Sequence, residues 1–218
     1  MQTKTNVLVF SLAAILSLSV VAMGELPQAV ADKDHDDKEK KLKFKKKADF
    51  TADCDRINTG IPTDWECTAS FWLDKKGENL KYKIQIQNMD LTGWQSPGDT
   101  TDDVGKVHLH DSQIKETGSG MGDHVLNVWK APIEDDAQMK AIPSKGILKG
   151  IYDDGDVTPS SNTSIPSQDR SKPLTENLED LCNGDFFVMI HEAAGPGVLK
   201  GSLEPTKQGE KICNKLGY

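Results

Sequence analysis

Four histidines have the residue type and the spacing to do chemistry. In Val107-His108-Leu109-His110 the alternation of a strand sends Val107 and Leu109 to one face and both imidazoles to the other. Two imidazoles on one strand face can grip one ion. His191 ends the apolar run 186–191 on the same face as Phe187 and Met189, and His124 begins the run 124–129. Four neutral imidazoles with no thiolate suit Cu(II) or Zn(II). The same rings have a plainer use, because a neutral imidazole offers one donor and one acceptor and can simply bond backbone carbonyls across a sheet. Both readings stay open at the level of sequence.

Other constellations are weaker. The chain has no GxSxG elbow, no phosphate-binding glycine loop and no HExxH, so no catalytic residue is assigned. Glu192 and the pairs Asp102-Asp103 and Asp135-Asp136 read as solvated loop carboxylates. Asp153, Asp154 and Asp156 lack an EF-hand spacing and read as a solvated turn.

Strands must position the histidines. Residues 79–88 alternate strictly, with Leu80, Tyr82, Ile84 and Ile86 against Lys81, Lys83, Gln85 and Gln87. Less regular alternation recurs at 48–54, 67–73, 106–110, 124–129, 146–152, 186–191 and 198–203. The pattern predicts an all-β protein, a Greek-key β-sandwich or barrel of about eight short antiparallel strands. One helix is expected over 171–182, with Ser171 as cap, Pro173 early, and Leu174, Leu178 and Leu181 on one face, plugging the open side of the sandwich. The turn-rich stretch 153–173 reads as a surface insertion. It carries the candidate glycosylation sequon Asn162-Thr163-Ser164.

The ends of the chain differ from its body. Lys4, the apolar stretch 7–23 and Ala29-Val30-Ala31 read as a signal peptide over 1–31, so the remainder is expected to be secreted, extracellular or at the cell surface. Residues 32–47 form a charged stem of eight lysines and five acids. The remaining 48–218 carry 17 bases against 28 acids, a net of −11 with Arg56 and Arg170 the only arginines. Such a body repels phosphate backbones, which argues against nucleic-acid recognition. The membrane is a partner only if the leading segment is retained as an anchor. All four cysteines follow the signal, where two disulfides are the default. Of the three possible pairings, Cys54 with Cys67 and Cys182 with Cys213 are favoured, because each pair brackets a hairpin-like segment.

Over residues 48–204 the chain resembles the CHRD domain, the module named from chordin. The resemblance rests on Phe50-Thr51-Ala52, Ala69-Ser70-Phe71-Trp72-Leu73, Leu80-Lys81-Tyr82-Lys83-Ile84, Val107-His108-Leu109-His110, Gly146-Ile147-Leu148-Lys149-Gly150, Phe187-Val188-Met189-Ile190-His191 and Gly195-Pro196-Gly197-Val198-Leu199-Lys200-Gly201-Ser202-Leu203. Lys200 stands where the family usually has Arg, and the Asn-Gly-Pro turn is replaced by residues 118–123. The order of the histidines is also similar to the copper ligands of copper-zinc superoxide dismutase, and that resemblance implies His108, His110, His124 and His191 as copper ligands. No further histidine cluster follows for a zinc site. His124 discriminates, since the CHRD pattern does not require it and a four-ligand centre does.

The resemblance implies a non-catalytic extracellular binding or cell-surface role for 48–204, with 205–218 as a C-terminal tail tied by a disulfide. The partner would be an extracellular protein or cell-surface component, with a docking patch around Trp94 and Trp129. The rival expectation is a copper- or zinc-binding protein, superoxide dismutase-like in its histidines.

Overall fold

The computed structural model describes residues 42–57, 60, 62–91, 98–99, 101–113, 122–130, 136, 138–193, 195 and 197–218. The expected signal peptide, most of the stem and Trp94 lie outside them.

Eleven strands are present among the described residues: β1 (Phe50–Asp53), β2 (Asp55–Arg56), β3 (Glu66–Leu73), β4 (Asn79–Gln87), β5 (Val104–Asp111), β6 (Asp123–Trp129), β7 (Lys140–Ile142), β8 (Ile147–Asp153), β9 (Phe186–Glu192), β10 (Gly197–Ser202) and β11 (Glu204–Pro205). They pair antiparallel into two sheets, ordered β11-β1-β3-β4-β8-β7 and β2-β10-β9-β5-β6. The architecture is the β-sandwich expected from the period-2 pattern. The eight anticipated strands are all present, and the three additions, β2, β7 and β11, are two or three residues long, too short for alternation to register.

The two sheets differ in how their faces are used. In the first, β4 and β8 bury every second residue, so one face packs on the core and the other meets water. Phe50, Phe71, Tyr82, Ile84 and Leu148 from this sheet meet Val107, Leu109, Leu126, Val188, Ile190 and Leu199 from the second. In the second sheet β6 is buried at every position and β9 at five of seven, so its outer face is covered too.

The cover is the segment expected to be a surface insertion. Lys172 N bonds Val125 O at 3.0 Å, and Ser171 Oγ accepts from Asn127 N at 2.9 Å, so residues 154–172 occupy the free edge of β6. An exposed edge of that length would invite pairing with another chain, and this contact removes it. The carboxylates read as solvated are at work here. Asp153 and Asp156 cap a 3-10 turn reciprocally, and Asp154 accepts from Thr175. Asp136, likewise expected in solvent, is buried, where it accepts from Tyr82 Oη at 2.6 Å and Ile151 N at 2.9 Å. Asn162 sits in a turn, with Ser164 Oγ donating to its side-chain oxygen at 2.5 Å.

The expected helix starts later than 171. A 3-10 turn, Thr175–Asn177, leads into α1 (Leu178–Asn183), because Ser171 spends its hydroxyl on Asn127 rather than on a cap. Leu174, Leu178 and Leu181 are buried in the core as the spacing implied. Residues 205–218 are not a bare tail. They include α2 (Lys207–Leu216), capped by Thr206 and ended at Gly217, which buries Ile212 and Cys213. Its Gly209 has no alternative, since a Cβ there would collide with the Asp49 carbonyl. Disulfides join Cys54 to Cys67 and Cys182 to Cys213, the second tying α1 to α2. The two bonds point to an oxidising compartment. The described end of the stem lies on the sandwich: Phe44 contacts Trp72 at 4.7 Å between ring centres, and Trp72 Nε1 donates to Lys47 O at 2.9 Å. Among the described residues, no helix is long and apolar enough to cross a membrane.

Candidate metal centre

The covered face of the second sheet holds His108, His110, His124 and His191, four of the five histidines of the chain. β5 lies between β6 and β9, with His110 opposite His124 on one side and Phe187 on the other. His108 stands opposite Asn127 and Met189, and Lys106 opposite His191. Register shifts on either side of His108 and Leu109 bring His124 and Asn127, three residues apart, onto the histidine face together. Val107 and Leu109 point into the core, as alternation requires.

The rings form one cluster. His108 lies 4.0 Å from His124, 5.1 Å from His191 and 5.6 Å from His110 between ring centres, and His110 lies 4.5 Å from His124. His108, His110 and His124 are buried and His191 is half-buried. Each presents Nδ1 to an oxygen. Asn127 Oδ1 takes His124 at 2.8 Å and His108 at 3.2 Å, Gly122 O takes His110 at 3.2 Å, and Gly195 O takes His191 at 3.3 Å. Because a carbonyl oxygen can only accept, all four Nδ1 atoms carry the proton and all four Nε2 atoms carry the lone pair. Gly122 reaches His110 through a positive φ of 81°, which suits a residue without a Cβ.

Burial lowers the basicity of every ring. His110 is pushed down to about 3 by desolvation, then by His124. His108 falls further, from desolvation and then the other three rings. His124 and His191 shift the same way for the same leading cause. The cluster is neutral at pH 7, the protonation state a metal ligand needs. Among the described residues, His110 Nε2 is buried with no hydrogen-bond partner. Among the described residues, no three His, Cys, Asp or Glu side chains already hold their donor atoms at ion-binding positions. The rings pack around His108 rather than around a common point.

Three features at the site escape sequence reasoning. Asn127 is the acceptor for two of the rings, and its Nδ2 donates to Asp169 O at 3.0 Å, which ties the site to the 154–172 cover. Asp169 Oδ1 stands 3.8 Å from His124 Nε2. Phe187 stacks on His110 with ring centres 4.8 Å apart, and Lys200 Nζ sits 3.9 Å from the Phe187 ring centre on its way to a groove of about 470 Å³ lined by Asp53, Asp55 and Glu204. That groove shares Lys200 with the site but lacks histidines. Of the expected docking patch, Trp129 is buried.

No family model matches the chain, and no curated protein matches it.

Proposed function

We propose that this protein is an exported, CHRD-like β-sandwich whose function is to bind a divalent transition metal, Cu(II) or Zn(II), through His108, His110, His124 and His191. One observation carries the reading: three buried neutral imidazoles and one half-buried, from three strands, cluster with the other three ring centres 4.0–5.6 Å from that of His108 and with every Nδ1 bonded to an oxygen. Such Nδ1–H bonds are the arrangement that orients metal-ligating histidines and raises the donor strength of Nε2. The scale fits as well. Metal–nitrogen bonds of about 2.0–2.1 Å put the centres of neighbouring rings about 4.5–5.2 Å apart, and the ring centres here, at 4.0–5.6 Å, lie within about half an ångström of that range. Small ring rotations then bring Nε2 atoms to a shared ion.

Plain sheet bonding explains the Nδ1 contacts but leaves the buried Nε2 of His110 without a partner among the described residues, at a cost of about 1–3 kcal/mol. An ion supplies that partner. Of the docking patch expected for the wider extracellular-partner role that the CHRD resemblance implies, Trp129 is buried and Trp94 lies outside the described residues. A dismutase-like activity requires the ion first.

Metal analysis after loading with Cu(II) or Zn(II) tests the proposal. Wild type is expected to retain about one equivalent, and a His108→Ala/His110→Ala double variant is expected to lose it. Equal retention by both, or none by either, would overturn the reading.

A further inference from the structure

The cover over β6 brings a carboxylate to the histidine cluster, and the electrostatics there are incomplete. His124 Nδ1 donates to Asn127 Oδ1 at 2.8 Å, and the orientation of that amide is set by its Nδ2, which donates to Asp169 O at 3.0 Å. The neutral ring therefore has its lone pair on Nε2. Facing that lone pair, 3.8 Å away, is Asp169 Oδ1. A lone pair and a carboxylate repel unless a cation or a hydrogen-bond donor lies between them. A shared proton would draw the pair to about 2.7–2.9 Å, much closer than observed. An ion with metal–nitrogen and metal–oxygen bonds of about 2.0–2.2 Å instead separates the two donors by about 2.9–4.2 Å as their angle at the metal opens from a right angle to a straight line. The observed spacing falls in the metal range.

Asp169 is also held in place. It ends the 3-10 turn Ser167–Asp169, its amide donates to Pro166 O at 3.0 Å, and its carbonyl is the acceptor for Asn127. Its side chain is 36 % exposed, so the carboxylate can swing toward the rings without leaving a packed position. Among the described residues, no other carboxylate oxygen lies within 4 Å of a nitrogen of the four rings.

We propose that Asp169 is an oxygen donor to the ion held by the four histidines, so that the 154–172 segment is part of the metal centre and biases it toward divalent ions. This rests on the metal-binding reading above. A carboxylate leaves a bound dication with a single net positive charge and suits Cu(II) or Zn(II), whereas Cu(I) prefers softer donors.

The experiment compares full-length wild type, Asp169→Asn and the His108→Ala/His110→Ala double variant, reading Zn(II), Cu(II) and Cu(I) affinity by chelator competition and the Cu(II) electron paramagnetic resonance spectrum. Asp169→Asn is expected to weaken Zn(II) and Cu(II) binding about 10- to 100-fold, to leave Cu(I) binding within a few-fold, and to shift the Cu(II) spectrum. Unchanged divalent affinity in Asp169→Asn, with wild type still binding, would overturn the role of Asp169 alone. Weaker binding with an unchanged Cu(II) spectrum would also overturn ligation, leaving Asp169 a distant field effect. Absence of binding by wild type would overturn the histidine reading and this proposal together. Thermal unfolding of metal-free Asp169→Asn is expected to match wild type, which separates ligand loss from misfolding.

Discussion

Asn127 accepts a 2.8 Å hydrogen bond from His124, three residues before it on β6, and the same oxygen takes His108 from the neighbouring strand at 3.2 Å. One amide therefore sets the tautomer of two rings. Replacing it with Leu removes the acceptor, frees both rings to turn, and leaves Asp169 O and two buried Nδ1–H groups unpaired. Asn127→Leu is expected to weaken Zn(II) binding about 10- to 100-fold and to lower stability by about 1–3 kcal/mol, measured by chelator competition and urea unfolding. Unaltered Zn(II) affinity would show that Asn127 does not orient the rings.

The buried rings make the metal-free protein acid-sensitive. A histidine whose pKa is lowered on folding stays neutral in the folded chain while the unfolded chain takes up a proton below about 6.5, so stability falls as pH falls through that value toward the folded pKa. For His110 this window runs from 6.5 down to about 3. At pH 5 each ring that stays neutral costs about 2 kcal/mol. Urea midpoints of metal-free wild type are expected to drop steeply between pH 7 and 5, and His110→Phe is expected to drop less. Parallel pH dependence in the two proteins would contradict the assignment.

Asp111 has the opposite sign. Burial pushes its carboxyl up to about 7 against a hydrogen bond from Gln113 N, with Asp180 and Asp185 adding to the rise. Between about pH 4 and 7 the folded chain holds a proton that the unfolded chain has released, so stability from this group declines as pH rises and the penalty persists above 7. Asp111→Asn keeps a donor toward Asp180 without the charge. It is expected to be more stable than wild type by about 1–3 kcal/mol at pH 8, with the gain vanishing near pH 4. A gain of the same size at both pH values would contradict this account.

The bond between Cys182 and Cys213 closes a separation of 31 residues and holds α2 against α1. A Cys182→Ser/Cys213→Ser variant is expected to lose roughly 3–4 kcal/mol by the loop-entropy relation. Denaturant unfolding with no loss would show that α2 docks without it.

Much of the sandwich is legible from side-chain alternation, most clearly in β4, where Leu80, Tyr82, Ile84 and Ile86 are all buried. The histidines of β5 are legible for the same reason, since a two-residue period places His108 and His110 on one face. Asn127 and Asp169 are not. Asn127 reaches the histidine face only through register shifts between β5 and β6, and Asp169 arrives by folding back from 42 residues away. The helix α2 hides because its sequence is mostly polar and contains Gly209, whose purpose is the close approach to the Asp49 carbonyl. Asp136 looks like a loop acid until Tyr82, 54 residues earlier, donates to it. Local periodicity carries the elements, whereas contacts between distant segments complete the site.

The convergence of four Nε2 lone pairs on one ion is tested most directly by nitrogen NMR of the imidazoles during titration with Zn(II). The account predicts protonated Nδ1 in all four rings before metal, and a concerted shift of the Nε2 signals of His108, His110, His124 and His191 that is complete at one equivalent. Nε2 signals that stay in place as Zn(II) is added would contradict it.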